Sequence, residues 1–302
     1  MSAAFAPQAR ERRRVSARLG WLLFLLPLLA LLVIFFIVPL FELLRLSFQE
    51  HTGGPRSPDA PFTLANYAKI LGDPFYWQMM GNSLQVALYS TIASLVIGYA
   101  VAFYLTRSRG WERTLIAVAC LLPIFVNVIV GILGWYILML PFGVFQQALA
   151  ALGLVEGPLR WLRSFWALVA VLTYEHLPFA ILILASSLQN VPADKIAAAR
   201  ILGAPTWRIV WTIMLPLTMP GIVASAILVF SLSVSSYLVP ILIAGPRAQV
   251  IPLSIFSFAS DLLNWNMAGA LAFFLLVVVA FITYGFLVVT NRLTRRGQWE
   301  MV

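Results

Sequence analysis

The sequence predicts an all-α, polytopic membrane protein with six transmembrane helices. Of its 302 residues, 62% are hydrophobic and 10% are charged, and the mean hydropathy is +0.93. Soluble domains are about 45–50% apolar and about 25% charged, so this composition excludes an ordinary soluble enzyme and a disordered chain. A helix needs about 20 mainly apolar residues to cross a bilayer. Six stretches of the chain meet this requirement, and none alternates as a β-barrel strand does.

The predicted spans are Leu19–Phe41, Ser83–Leu105, Thr114–Leu140, Phe165–Leu188, Thr218–Val239 and Ala268–Thr290. The apolar run of the first span is longer than that of a cleaved signal peptide, and no A-x-A site ends it, which favours an uncleaved signal anchor. The third span is longer than one crossing requires. We therefore expect it to be tilted, or broken near Gly131 and Gly134.

The distribution of basic residues predicts the orientation. With the N-terminus inside, 14 of the 20 lysines and arginines lie in the N-terminal segment, the inside loops and the tail. Such an excess in short loops places both termini in the cytoplasm. The net charge of +9 is therefore explained by topology. The basic residues lie in separate short loops, so we expect no nucleic-acid partner.

Several kinds of chemistry are not expected in this chain. Cys120 is the only cysteine and cannot form an intrachain disulfide, and His51 and His176 are too few for a histidine metal cage. A phosphate-binding loop of the Walker type needs a lysine after a glycine. Neither Lys69 nor Lys195 follows one, so we expect no ATP hydrolysis and no catalytic residues here.

Two outside loops contain short helix candidates. The stretch 62–71 can form an amphipathic helix at the membrane surface, ended by Gly72-Asp73-Pro74. A second candidate lies around Val144–Leu152, and the third outside loop runs from Pro240 to Met267.

Few ionisable residues lie within the spans, and these are candidates for a translocation pathway together with some polar neighbours. Glu175 and His176 lie near the middle of the fourth span beside Tyr174, and Ser235 and Tyr237 lie in the fifth. A carboxylate in the bilayer faces a partner or an aqueous cavity. Glu175 either lines a cation pathway, with aromatic side chains offering cation–π contacts, or anchors helix packing. The serines of the fifth span either line a polar pathway or allow close helix packing.

At the outer end of the first span, Glu42 and Arg45 are predicted to form an interfacial pair, because both side chains can extend toward water.

The inside loop between the fourth and fifth spans carries the most specific pattern. Pro192 suits the first turn of a helix, and Ala197, Ala198 and Ala199 are strong helix formers of small volume. Gly203 supplies a left-handed end to that helix, and Thr206 can cap the next one. An alanine-faced helix between two spans either connects them or lies in a groove of another protein.

This loop resembles the coupling motif of bacterial ABC importer permeases, E-A-A-x-x-x-G-x9-I-x-L-P. Ala198, Ala199 and Gly203 match the motif, and Ile213 and Leu215-Pro216 follow at the motif spacing. Ala197 stands where the motif has Glu, and Asp194, one turn earlier on the same face, is a candidate to replace it. The resemblance implies coupling to an ATPase through the following residues: Asp194, Ala197, Ala198, Ala199, Arg200, Gly203 and Pro216.

The resemblance extends from Phe62 to Arg292 and is closest to the spermidine/putrescine type. It rests on short pieces in the right order, among them Asn66-Tyr67, Asp73-Pro74-Phe75, Asn82-Ser83, Leu122-Pro123, Leu177-Pro178-Phe179, Gly245-Pro246-Arg247 and 265–270. It implies the type I ABC importer permease fold. The expected division is a basic segment 1–18, a first helix and loop 19–61, a permease domain 62–292 with its coupling helix at 190–206, and a tail 293–302.

The function implied by the resemblance is that of the permease subunit of an ATP-driven importer in the bacterial inner membrane, with polyamines as the preferred substrates. The implied partners are an ATPase dimer that binds ATP and Mg²⁺, a second, related permease subunit, and an extracytoplasmic binding protein. Permeases for ferric iron, thiamine or aminophosphonates are similar and remain open. A self-sufficient secondary transporter or channel is the alternative from another class, although the inverted repeats that it predicts are not visible.

Overall fold

The computed structural model describes residues 25–52, 60–141, 143–153, 161–245 and 249–299, with side chains as far as residue 288. The predicted basic segment 1–18, the first residues of the first span and the last three residues of the tail lie outside this part. In the described residues the regular structure is helical, apart from one antiparallel bridge between Gln49 and Phe62.

Besides a π-helical turn at Pro240–Ala244, the described residues contain twelve helices, labelled here in chain order. They are α1 Leu25–Ser47, α2 Ala65–Gly72, α3 Pro74–Arg107, α4 Gly110–Phe125, α5 Val128–Leu138, α6 Val144–Ala151, α7 Phe165–Gln189, α8 Ala193–Ile201, α9 Thr206–Leu217, α10 Met219–Ser235, α11 Ile251–Ser260 and α12 Trp265–Trp299. The short helices predicted in the first two outside loops are α2 and α6.

The six predicted spans correspond to four continuous helices and two bent pairs. The helices α1, α3, α7 and α12 are each long and apolar enough to cross a membrane. The pair α4 and α5 is bent by 104°, and the pair α9 and α10 by 70°. The second span begins before the predicted Ser83 because Asp73 accepts a hydrogen bond from the Phe75 N–H, which starts a helix with Pro74 in its first turn.

The break in the third span is not at Gly131 or Gly134, and that prediction was wrong. It lies at Val126 and Asn127, between α4 and α5. The side chain of Asn127 accepts a hydrogen bond from the Ile129 N–H at 2.9 Å, so Asn127 caps a new helix instead of continuing the old one. Pro123, inside the last turn of α4, also weakens the helix here, since it has no N–H to donate.

Three spans, α3, α7 and α10, pack on one another and form the centre of the subunit. Gly98 on α3 allows the closest approach to α7, because a Cβ there would lie 3.2 Å from the Ala180 Cβ. At Gly221 on α10 an added Cβ would overlap the side chain of Ser187 on α7. The centre is therefore built by small residues that bring the helix backbones together.

The first span lies at the periphery, with none of its membrane window buried, and it packs mainly against α12. Asn266 donates a side-chain hydrogen bond to the Leu46 carbonyl at 2.9 Å. Arg45 and Glu42 lie 3.8 Å apart, which confirms the predicted pair. Beyond the span, Asn66 donates to two backbone carbonyls and the Tyr67 hydroxyl lies 2.8 Å from the Ser47 Oγ. The Asn66-Tyr67 pair thus holds α2 against the end of α1.

Candidate functional site

The predicted inside loop after the fourth span forms the short helix α8, followed by a turn at Gly203. Gly203 has φ +74°, so the predicted left-handed end is confirmed. The Ala204 N–H donates to the Ala199 carbonyl at 3.0 Å and closes the turn. The predicted cap by Thr206 was wrong, because α9 begins at Thr206 itself, after Pro205, and no side chain caps it.

The predicted coupling helix, α8, packs one face on its own subunit and exposes the other. Ile196 and Ala199 pack on the cluster that contains Leu188, Ile209 and Met214. The other residues assigned to ATPase coupling lie exposed on α8, in the turn after it and on α9: Asp194, Ala197, Ala198, Arg200, Gly203 and Pro216.

The helix ends in an apolar tip that the sequence analysis did not single out. Ile201 and Leu202 are each 86% exposed, and Trp207 beyond the turn is 67% exposed. The sequence signal for this tip is Ile201-Leu202, two adjacent aliphatic residues in an otherwise polar loop. The tip and the small face of α8 together form a surface on which another protein can bury apolar area.

Glu175 lies in the middle of α7, and its Oε2 atom is buried without a hydrogen-bond partner among the described residues. The neighbouring Tyr174 packs its ring against Trp135 of α5, with centroids 5.4 Å apart. A Cβ at Gly131 would lie 3.7 Å from the Tyr174 ring, an ordinary contact distance, so Gly131 faces this ring. Glu175 thus has one carboxylate oxygen without a partner among the described residues, and the residue before it in the chain makes an aromatic contact with α5.

Both halves of the bent third span approach α7. Gly131 of α5 faces Tyr174, whereas Leu121 of α4 lines a cavity with Ile181 and Leu182. The break at Val126 and Asn127 lies along the chain between these two approaches. Phe125, at the break, is 86% exposed. Interrupted helices in membranes occur where the backbone is buried in protein or lines a cavity.

The other pathway candidates have different surroundings. His176 is buried, and its Nδ1 lies 3.0 Å from the Ser233 Oγ of α10, so its contacts lie inside the subunit. Ser235 is exposed and donates to the Ser231 carbonyl of its own helix at 2.7 Å. Tyr237, 38% exposed, stacks on Phe256 with ring centroids 5.2 Å apart. The structure does not bring Tyr237 and Ser235 into contact with Glu175, and their role stays a prediction.

Apolar spans around a small central bundle, with an exposed helix between the fourth and fifth spans, define a multi-pass membrane transport subunit. The family described as binding-protein-dependent transport system inner membrane component matches residues 94–296. The chain belongs to this family.

Two relatives agree with this family over most of the chain. The spermidine/putrescine transport system permease protein PotB of Haemophilus influenzae is 30% identical over 269 residues, covering 89% of this chain and 93% of its own. The protein of the same name in Escherichia coli K12 is 32% identical over 218 residues, covering 72% and 79%. The predicted resemblance to this type of permease is confirmed.

Solved structures confirm the fold. A chain of a bacterial ABC transporter involved in the import of the acidic polysaccharide alginate superposes with a TM-score of 0.76 at 17% identity, covering 94% of this chain and 99% of its own. A chain of the MetNI methionine ABC transporter superposes with a TM-score of 0.54 at 19% identity, covering 74% of this chain and 98% of its own. The protein has the ABC importer permease fold and is a permease subunit of an ABC transporter, a multi-pass protein of the inner membrane.

Proposed function

We propose that this chain forms part of the translocation pathway of a polyamine importer and couples it to a separate ATPase. Relatives named as spermidine/putrescine permeases support the substrate class. The observation that carries the proposal is the Oε2 atom of Glu175, which is buried without a hydrogen-bond partner among the described residues, on a half-buried residue in the middle of a span.

Polyamines carry several positive charges, and their passage through a bilayer needs groups that replace lost hydration. A carboxylate that has no partner in its own subunit can serve a passing ammonium group. At about 5 Å and an effective dielectric constant of about 20, one such pair contributes about 3 kcal/mol. Trp135 and Tyr174, in contact beside Glu175, offer π faces to the same cation.

Coupling to the ATPase is proposed to occur through α8. The alanine face is small enough to lie in a groove, and Ile201 and Leu202 extend beyond it as an apolar anchor. Because Ala197 replaces the motif Glu, this contact depends more on apolar burial and less on an ion pair. Asp194, exposed one turn earlier, is the carboxylate that remains on this face.

The proposed complex has two permease subunits, this chain and a related, non-identical one. It also contains an ATPase dimer that holds ATP and Mg²⁺ and an extracytoplasmic binding protein that delivers substrate. Both termini of this chain lie in the cytoplasm. ATP binding favours an outward-facing state and hydrolysis an inward-facing one, so that transport follows from the different affinity of the two states for ATP.

Replacing Glu175 by glutamine tests the cation pathway. In proteoliposomes containing the whole complex, we expect Glu175→Gln to lower spermidine uptake at least about tenfold, since it removes the charge and keeps the size. ATP turnover in the absence of the binding protein should persist. The matched control is Glu42→Gln, which changes a carboxylate at the outer end of α1 that already contacts Arg45. Its uptake should be normal.

Two outcomes contradict the proposal. Normal spermidine uptake by Glu175→Gln in a stable complex removes the carboxylate from the pathway. If Glu175→Gln is silent and Glu175→Leu alone prevents assembly, Glu175 is a packing anchor. Absence of spermidine uptake by the wild-type complex, with uptake of another solute, overturns the substrate class.

A further inference from the structure

The bend between α9 and α10, called the joint here, is held by side chains of two other helices, α3 and α7. It lies at Thr218, where the two helices meet at 70°. A π-helical turn at Val210–Met214 precedes it, and Pro216, which has no N–H, interrupts the backbone ladder. The bend is therefore specified by the local sequence and not imposed only by packing.

Hydrogen bonds of Thr218 with Tyr99 and Ser187, called the clasp here, hold the joint. Thr218 is fully buried, and its hydroxyl donates to the Met214 carbonyl at 2.8 Å. Since that bond uses the only hydroxyl proton, the Tyr99 hydroxyl, 3.2 Å away on α3, is the donor to Thr218. Ser187 on α7 donates to the Thr218 carbonyl at 3.4 Å. One threonine is thus tied to both central spans.

The α10 side of the joint is fitted closely to α7. A Cβ at Gly221 would overlap the Ser187 side chain, so a glycine is required one turn after Thr218. Because cores pack without spare volume, α10 cannot move sideways here without moving α7.

The coupling helix reaches the joint through continuous contacts. Ala199 of α8 packs on the cluster that contains Met214, and Met214 supplies the carbonyl bonded by Thr218. The Met214 sulfur also lies 3.4 Å from the Arg107 guanidinium at the end of α3. Beyond the joint, α10 carries Ser233, which contacts His176 next to Glu175. Contacts therefore run from the inside surface to the level of the buried carboxylate.

We propose that Thr218, Tyr99 and Ser187 form a positioning joint that converts displacement of α8 into reorientation of α10. The inference rests on the proposed coupling of α8 to an ATPase. Its physical basis is that α9 and α10 are two rigid segments joined at one residue, and that the clasp determines which movements of this residue are allowed. Without the clasp, α8 can move while α10 does not follow, and ATP is hydrolysed without transport.

The test compares Tyr99→Phe and Thr218→Val in the whole complex, purified with its co-purifying subunits and reconstituted in vesicles. The readout is the number of ATP molecules hydrolysed per spermidine imported. We expect each variant to raise this ratio about fivefold, which corresponds to about 1 kcal/mol at about 1.4 kcal/mol per tenfold. The double variant should match Thr218→Val, because both changes remove the same cross-helix bond.

Two control variants separate the joint from general packing effects. Thr173→Val removes a buried hydroxyl that donates to the Val169 carbonyl of its own helix at 2.6 Å. Tyr104→Phe removes an exposed hydroxyl further along α3. Both should leave the ratio unchanged. A merely structural role of Thr218 would lower the amount of complex without changing ATP per spermidine.

The outcomes also distinguish this proposal from the one on which it rests. If the wild-type complex contains no ATPase, the proposed coupling fails. If the ATPase is present, wild-type import is coupled, and Tyr99→Phe and Thr218→Val keep the wild-type ratio, the joint is overturned while the proposed function stands. Because Tyr99→Phe removes one oxygen atom only, it provides this result even where Thr218→Val assembles poorly.

Discussion

Gly203→Val tests the coupling turn through backbone geometry alone. Gly203 has φ +74°, and a Cβ built there has nothing within 4 Å in the subunit, so the substitution causes no clash. The left-handed conformation costs about 1–2 kcal/mol for a residue with a Cβ, and a β-branched residue lies at the upper end. At about 2 kcal/mol, the native turn loses about 30-fold in population relative to turns with negative φ.

The expected result is loss of the ATPase with retention of the membrane subunit. A turn with negative φ breaks the hydrogen bond from the Ala204 N–H to the Ala199 carbonyl and redirects Ile201 and Leu202. We expect Gly203→Val to insert normally and to bind the ATPase about 30-fold more weakly. The assay is co-purification from detergent at graded ATPase concentrations.

Two control variants make the result specific to the conformation of Gly203. Gly203→Asn adds a side chain that tolerates the left-handed region and should retain most of the binding. Gly72→Val adds the same bulk to another glycine with open space, at the end of α2, without a positive φ. Equal loss in Gly203→Asn and Gly203→Val would refute the backbone argument and point to a clash with the ATPase. Normal binding in Gly203→Val would remove the turn from the interface.

Three further predictions concern orientation and packing. A reporter fused after Arg109 should be cytoplasmic and one fused near Gly54 outside; the reverse result would overturn the orientation inferred from the basic residues. Ala199→Leu should overfill the contact between α8 and its own subunit and cost about 1–3 kcal/mol, seen as a lower midpoint of thermal unfolding; an unchanged midpoint would contradict the packing. Asn66→Leu leaves the Ser47 and Gln49 carbonyls without their side-chain donor, and we expect it to lower the free energy of unfolding by about 1–3 kcal/mol in the same measurement. The variant should also be cut by protease near α2 more readily than the wild type. Wild-type resistance to protease would count against the contact.

The spans were predictable because a bilayer imposes one strong requirement, a long apolar run. The positions of the bends could not be predicted in this way, because they depend on single residues, whose effect is lost in a hydropathy average over a whole span. At the third span the two glycines drew attention, whereas Asn127 sets the break by capping the new helix. At the fifth span the predicted start, Thr218, is the bend itself. The helix that begins at Thr206 was predicted, but its 70° angle to the following helix was not.

The two parts of the candidate site differ in how far the sequence reveals them. The coupling turn is encoded within about a dozen consecutive residues, and its helix and left-handed glycine were both predicted. The clasp at Thr218 joins residues separated by 119 positions, and no periodicity pairs Tyr99 with Thr218. The sequence likewise identifies Glu175 as a mid-span carboxylate, but only the packing shows that its Oε2 is buried without a partner among the described residues.

Both bent spans pack against the same unbroken helix, α7. Tyr174 contacts α5 beyond the break of the third span, while Ser187 holds the joint of the fifth. Glu175 lies between these two contacts along one continuous helix. In the proposed coupling, a displacement at the joint therefore also displaces α7, because Gly221 of α10 packs on Ser187 without spare volume, and α7 carries Glu175.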